Sequence, residues 1–258
     1  MKKIWITALD NDQQAVQKLM TTLKAYGLDV NGHFWVDDLA RMAWSEAAGE
    51  LLAKETALWI IMGKAESFQD IAVRKGLSLL AMSIQSSRGH GFPIFVLPFP
   101  GEMTADLLPI PLRGAEIFSL ASASVGPKVV AAANLPLKAV ETPYRLNIHA
   151  LPGIGLWFEI GPAKGIEWGG ALFGVCGAEI DAHGVGPAKG IPERAVLEYP
   201  IKGMKVRFGE DEYTAWALQN RLDEGSSYYV RVKGTPEKIL FGPYAESNEA
   251  EVSVLSLC

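Results

Sequence analysis

Leu58-Trp59-Ile60-Ile61-Met62-Gly63 is an unbroken apolar run closed by a glycine. Such a run has no polar face, so it reads as a central strand covered on both sides, as in a parallel sheet. Upstream, Ile4-Trp5-Ile6 forms a first strand. It leads into Asp10-Asn11-Asp12, which offers N-caps and negative charge at the positive end of a helix. Val16, Leu19, Met20, Leu23 and Tyr26 recur there at helical spacing before Gly27. A second strand is predicted around His33 to Val36, followed by a helix capped by Asp37-Asp38 with Leu39, Ala43, Ala47 and Leu51 on one stripe. Beyond the central strand, Ser67 is read as the cap of a helix reaching about Gln85. Pro93 to Leu97 is a fourth strand, Glu116 to Phe118 a shorter one, and Lys128 to Ala133 a last helix. Strands alternating with helices define an α/β domain, here a doubly wound, mostly parallel five-stranded sheet over residues 1–134.

Two prolines and no periodicity mark residues 135–143 as a linker. Residues 144–258 change character: short alternating runs separated by glycine-rich turns predict a small antiparallel β sandwich or barrel. The runs are Tyr144 to His149, Leu156 to Ile160, Ala195 to Tyr199, Lys205 to Phe208, Tyr228 to Val232 and Ile239 to Phe241. Glu212 to Leu222 is read as the one helix of this part, with Ala215, Leu218 and Leu222 on one side.

The chain has 258 residues and a net charge of −5, which excludes a generally basic nucleic-acid or anionic-membrane binder. Basic and acidic residues balance at 13 each in 1–140, whereas 141–258 holds 11 against 16, so the β half carries all the net charge. No apolar stretch approaches the roughly 20 residues of a membrane span. The run after Lys2-Lys3 is too short for a signal peptide. Two distant cysteines, Cys176 and Cys258, fit a reducing cytosol better than a disulfide framework, so the chain is expected to be cytoplasmic.

Gly161-Pro162-Ala163-Lys164-Gly165-Ile166 recurs as Gly186-Pro187-Ala188-Lys189-Gly190-Ile191. Neither lysine precedes Ser or Thr at a helix start, as a phosphate cradle requires, and the composition is that of turns. Cys176, Asp181 and His183 contain the residue types of a thiol nucleophile and its base, but Cys176 stands in an apolar run where a small buried side chain is the plainer role. The four histidines show no metal-ligand spacing, and no GxGxxG follows the first strand, so neither metal nor cofactor is anticipated. Asp10 and Asp12 occupy the end of the first strand, as the acidic pair of a phospho-accepting receiver would. The end of the third strand, Met62-Gly63-Lys64-Ala65, has no aspartate to accept the phosphoryl group.

Taken together, the first 130 residues resemble a TIR-like domain. The likeness rests on the polar turn Asp10-Asn11-Asp12, the helix ending Leu23-Lys-Ala-Tyr-Gly27 and a second acidic-capped helix containing Trp44. It continues through the strand Leu58 to Gly63, the helix start at Ser67 and the strand Pro93 to Leu97. The resemblance implies a signalling or self-association module. Some relatives of this kind cleave NAD with a glutamate on the helix after the third strand. Here that helix begins Ser67-Phe68-Gln69-Asp70, without the tryptophan, cysteine and glutamate of those enzymes, and Asp70 and Glu66 are the nearest carboxylates. The sequence therefore predicts a non-catalytic interaction or signalling protein with a protein partner or self-association. The alternative is a small-molecule or nucleotide-processing enzyme in which Asp10, Asp12, Lys64 and Ser67 bind ligand at the strand ends facing the second domain.

Overall fold

A computed structural model describes residues 1–191, 196–244 and 251–258. Two compact units divide at Val140/Glu141. In the first, five strands, β1 (Lys3–Ala8), β2 (Asp29–Phe34), β3 (Thr56–Gly63), β4 (Ile94–Pro98) and β5 (Glu116–Ile117), form one all-parallel sheet in the order β2-β1-β3-β4-β5. This is the flavodoxin-type order, and it reverses direction between β1 and β3. The helices are α1 (Gln13–Ala25), α2 (Ala48–Leu52), α3 (Ile71–Arg88) and α4 (Val125–Asn134).

Every residue of β3 except Ala57 is buried, which is why its sequence lacks a polar face. Ile4, Ile6, Leu58, Ile60 and Met62 point to one side of the sheet, where Leu19 and Leu23 of α1 and Val125 and Val129 of α4 cover them. On the interior, Trp59 Nε1 donates to Thr7 Oγ1 at 2.8 Å, so the one polar atom that this large side chain buries is matched. Trp44 is also buried, whereas Trp5 and Trp35 keep partial exposure.

Two expectations for this unit are corrected. The helix read behind Asp37-Asp38 is broken into a 3₁₀ turn at Ala43–Ser45 and the short α2, because Met42 adopts a left-handed backbone at φ 57°. Asp38 still accepts the Arg41 amide at 3.0 Å and closes the first turn. Ser67 does not cap the following helix: Ser67–Gln69 is itself a 3₁₀ turn, and Asp70 caps α3 by accepting the amides of Ala72 and Val73.

Among the described residues, the second unit holds two antiparallel sheets. One has the order β10-β11-β8-β13-β14, built from β8 (Ala171–Cys176), β10 (Ile201–Phe208), β11 (Asp211–Leu218), β13 (Lys238–Pro243) and β14 (Ser253–Ser256). The other has the order β6-β7-β12-β9, from β6 (Tyr144–Leu151), β7 (Gly155–Pro162), β9 (Glu179–Pro187) and β12 (Ser226–Lys233). Phe158 meets Phe173 at 5.1 Å between ring centres and Tyr144 meets Phe241 at 4.8 Å, so the sheets pack face to face as a sandwich.

The helix expected over Glu212 to Leu222 is absent: its first part lies in the strand β11 (Asp211–Leu218), and Leu222 beyond it makes an isolated bridge with Trp168. Tyr213, Ala215 and Ala217 alternate onto one apolar face, while β10 and β8 take the backbone bonds on either side. The strand expected at Ala195 to Tyr199 is absent from 196–199, and Ala195 lies outside the described residues.

Candidate functional site at the reversal of strand order

Open α/β sheets bind ligands outside the carboxyl ends of their strands, where the strand order reverses. Here that place lies between the ends of β1 and β3. Asp10 leaves β1 and turns its carboxylate across to the loop after β3. Oδ2 accepts the Lys64 amide at 2.7 Å, and the Ser67 hydroxyl lies 3.0 and 3.1 Å from the two carboxylate oxygens. Gly63 makes the approach feasible, because a Cβ there would stand 2.8 Å from Leu9 Cβ and 3.0 Å from Asp10 Oδ2. Asp10, Lys64 and Ser67 thus come together as the strand ends imply, with Asp10 serving as a lace between two loops 54 residues apart.

Asp12 has a separate task. It is the N-cap of α1 and accepts the Ala15 amide at 2.9 Å. Asp10, Asn11, Asp12, Gln13 and Lys64 line a depression of about 540 Å³. Asp70 is committed to capping α3, and Glu66 is exposed at the head of the Ser67–Gln69 turn with no capping bond. Burial pushes the nearby Asp37 carboxyl up, and the charges of Asp70 and Asp38 push it further. Val36 and Ile71 flank this acidic group with 55% and 64% of their surfaces exposed.

The β unit contains a polar centre that the sequence reading missed. Glu159 of β7 is 3% exposed. Its Oε2 lies 2.8 Å from His149 Nε2, and its Oε1 accepts from the Lys189 amide at 2.8 Å and from Ser227 Oγ at 2.9 Å. Arg145 stands 3.9 Å from the same oxygen and donates to Ser227 Oγ at 3.0 Å. Burial works to raise the Glu159 carboxyl, but the bonds from His149, Lys189 and Ser227 outweigh it and bring it down to about 2. The available signal was a lone carboxylate inside the strand Leu156-Trp157-Phe158-Glu159-Ile160.

Cys176, Asp181 and His183 are divided among different partners. Burial, with the charges of Glu237 and Asp211, raises the Cys176 thiol, which is the reverse of an activated nucleophile. Asp181 forms a two-pronged ion pair with Arg231 at 2.8 and 3.1 Å. His183 Nδ1 meets Tyr228 OH at 2.8 Å, its ring abuts Trp216, and its Nε2 is buried without a partner. Burial, aided by Lys202, lowers His183 to about 4. Among the described residues no group of three or more His, Cys, Asp or Glu side chains is placed to hold a metal ion, and no helix is long and apolar enough to cross a membrane.

No protein-family model matches the chain, and no curated protein matches it either.

Proposed function

We propose that this chain is a non-catalytic interaction or signalling protein whose first unit is a TIR-like module on a flavodoxin-type sheet. The observation that carries the reading is the use made of the carboxylates at the sheet's carboxyl end. Asp10, Asp12 and Asp70 each accept main-chain amides, so the carboxylate nearest the position of a glycosidic catalyst is engaged in capping α3. Val36 and Ile71, exposed at the same end of the sheet, supply apolar area for a protein partner or a second copy of the chain. Sedimentation of the full chain over a hundredfold concentration range tests the self-association form of this reading. Mass should grow with concentration in the wild type and stay monomeric in a Val36→Ser, Ile71→Ser double variant.

A second reading draws on the same place in the fold. The convergence of Asp10, Lys64 and Ser67 beside the Asp12-lined depression supports binding of a small molecule or nucleotide at the reversal of strand order. A thermal-shift screen with NAD and nucleotides separates the two, since only the second reading predicts a raised melting temperature that is lost in Lys64→Ala. A cytoplasmic location belongs to both readings and is supported by the two free thiols.

A further inference from the structure

The two copies of the hexapeptide begin at equivalent places on either side of β12. Tyr228 lies opposite Ile160 of β7 and opposite Val185 of β9, so Gly161 and Gly186 continue their strands from the same level. Identical sequence in equivalent register nevertheless adopts two backbone states. In the first copy Gly165 takes the left-handed conformation, at φ +80°, and Ile166 N donates to Ala163 O in a local turn. In the second, Lys189 itself is left-handed, at φ +73°, a conformation that side chains with a Cβ rarely adopt.

Both copies are tethered near their start, the first by Arg145 Nε on Pro162 O and Ala163 N on Pro143 O, the second by Ala188 N on Gly225 O, and what differs is the buried floor beneath Lys189 and Gly190. Glu159, Ser227 and Tyr229 lie on the face of their sheet opposite to Phe158, Tyr228 and Val230, which point into the sandwich, yet all three are buried. The second copy is bonded down onto them. Lys189 N donates to Glu159 Oε1, Gly190 N donates to Tyr229 OH at 3.3 Å, and Tyr229 OH donates to Pro187 O. Strain at Lys189 is thus held in place by a buried carboxylate and a buried phenol, the arrangement expected of a segment with a second accessible state.

We propose that Gly186–Ile191 is a lid closed over a polar pocket floored by Glu159, Ser227 and Tyr229, and that it opens toward the conformation its twin already holds at Gly161–Ile166. Opening removes the Lys189 amide from an ionised carboxylate and uncovers the Glu159–His149 pair. An occupant that takes the lid's place must therefore bring an N–H or O–H donor, as an amine, a guanidinium or a polyol does. The lid lies in the β unit and does not depend on how the first unit functions.

Amide hydrogen exchange on the full chain at fixed pH tests this. The Lys189 and Gly190 amides are expected to exchange at least tenfold faster than those of Tyr229 and Val230 in β12, through an opening that leaves the strands protected. Tyr229→Phe, which removes the phenol bonds and keeps the ring, is expected to speed the two lid amides by several-fold without changing the β12 amides. The proposal is overturned if the wild-type lid amides exchange only together with β12. It is equally overturned if the lid opens locally but Tyr229→Phe leaves its rate unchanged.

Discussion

The Lys189 amide donates to Glu159 Oε1 over 2.8 Å, one of three hydrogen bonds that keep a buried carboxylate ionised. A carboxyl group lowered in the folded state stabilises it above the ordinary carboxyl range and loses that contribution as pH falls toward the folded value. For Glu159 the window runs from about pH 4.5 down to about 2, and its full size is about 3 kcal/mol. Urea unfolding of wild type and Glu159→Gln across this range should show the wild type losing stability more steeply, with the variant less stable at neutral pH.

His183 titrates in a different window. Its folded value of about 4 lies below the ordinary 6.5, so between these limits the unfolded chain takes up a proton that the folded one refuses. Stability is then full above about pH 6.5 and falls as pH drops toward 4, by at most about 3 kcal/mol. His183→Phe, which keeps a ring against Trp216, should flatten the profile between pH 6.5 and 4 and leave the Glu159-dependent loss at lower pH. The same urea series reads both.

The loops after β1 and β3 should depend on Asp10 and on the room beside it. Asp10→Ala leaves the Lys64 amide and the Ser67 hydroxyl without their acceptor, and is expected to cost about 1–2 kcal/mol. Gly63→Ala places a methyl group against Leu9 Cβ and Asp10 Oδ2 and should cost about 1–3 kcal/mol. The double variant should cost less than the sum of the two, because both act on the same bonds. Thermal unfolding of the four proteins completes the cycle.

Much of the first unit was legible because its signals are local. The apolar run Leu58 to Gly63 requires a strand covered on both faces, and Asp12 caps the helix directly behind it. Ser67 and Asp70 are both good N-caps by type, and what decides between them is Asp10, 57 residues earlier, which takes the Ser67 hydroxyl. Glu212 to Leu222 fits a helical stripe through Ala215, Leu218 and Leu222, and equally a strand through Tyr213, Ala215 and Ala217. Short apolar runs satisfy both periods, and pairing with β8 and β10 selects the strand. Asp10 stood out by its place at a strand end, whereas the network around Glu159 has no local signature. The partners of Glu159, which are His149, Lys189 and Ser227, are gathered from three other parts of the chain.

Asp70 allows structure and catalysis to be told apart. As the cap of α3 it should lose about 1 kcal/mol on replacement by alanine, and Asp70→Asn or Asp70→Ser should recover most of that loss. A carboxylate acting only on the backbone is replaceable in this way, whereas one acting on substrate is not. Chemical denaturation of the three variants provides the comparison.

The central claim is that Asp10, Asp12 and Asp70 hold the backbone at the end of this sheet and that neither Asp70 nor Glu66 turns over substrate. Its most direct test is the rate at which the purified full chain consumes NAD, alongside Asp70→Ala and Glu66→Ala. The prediction is no consumption above the buffer rate in any of the three. Turnover by the wild type that disappears in either variant would contradict it.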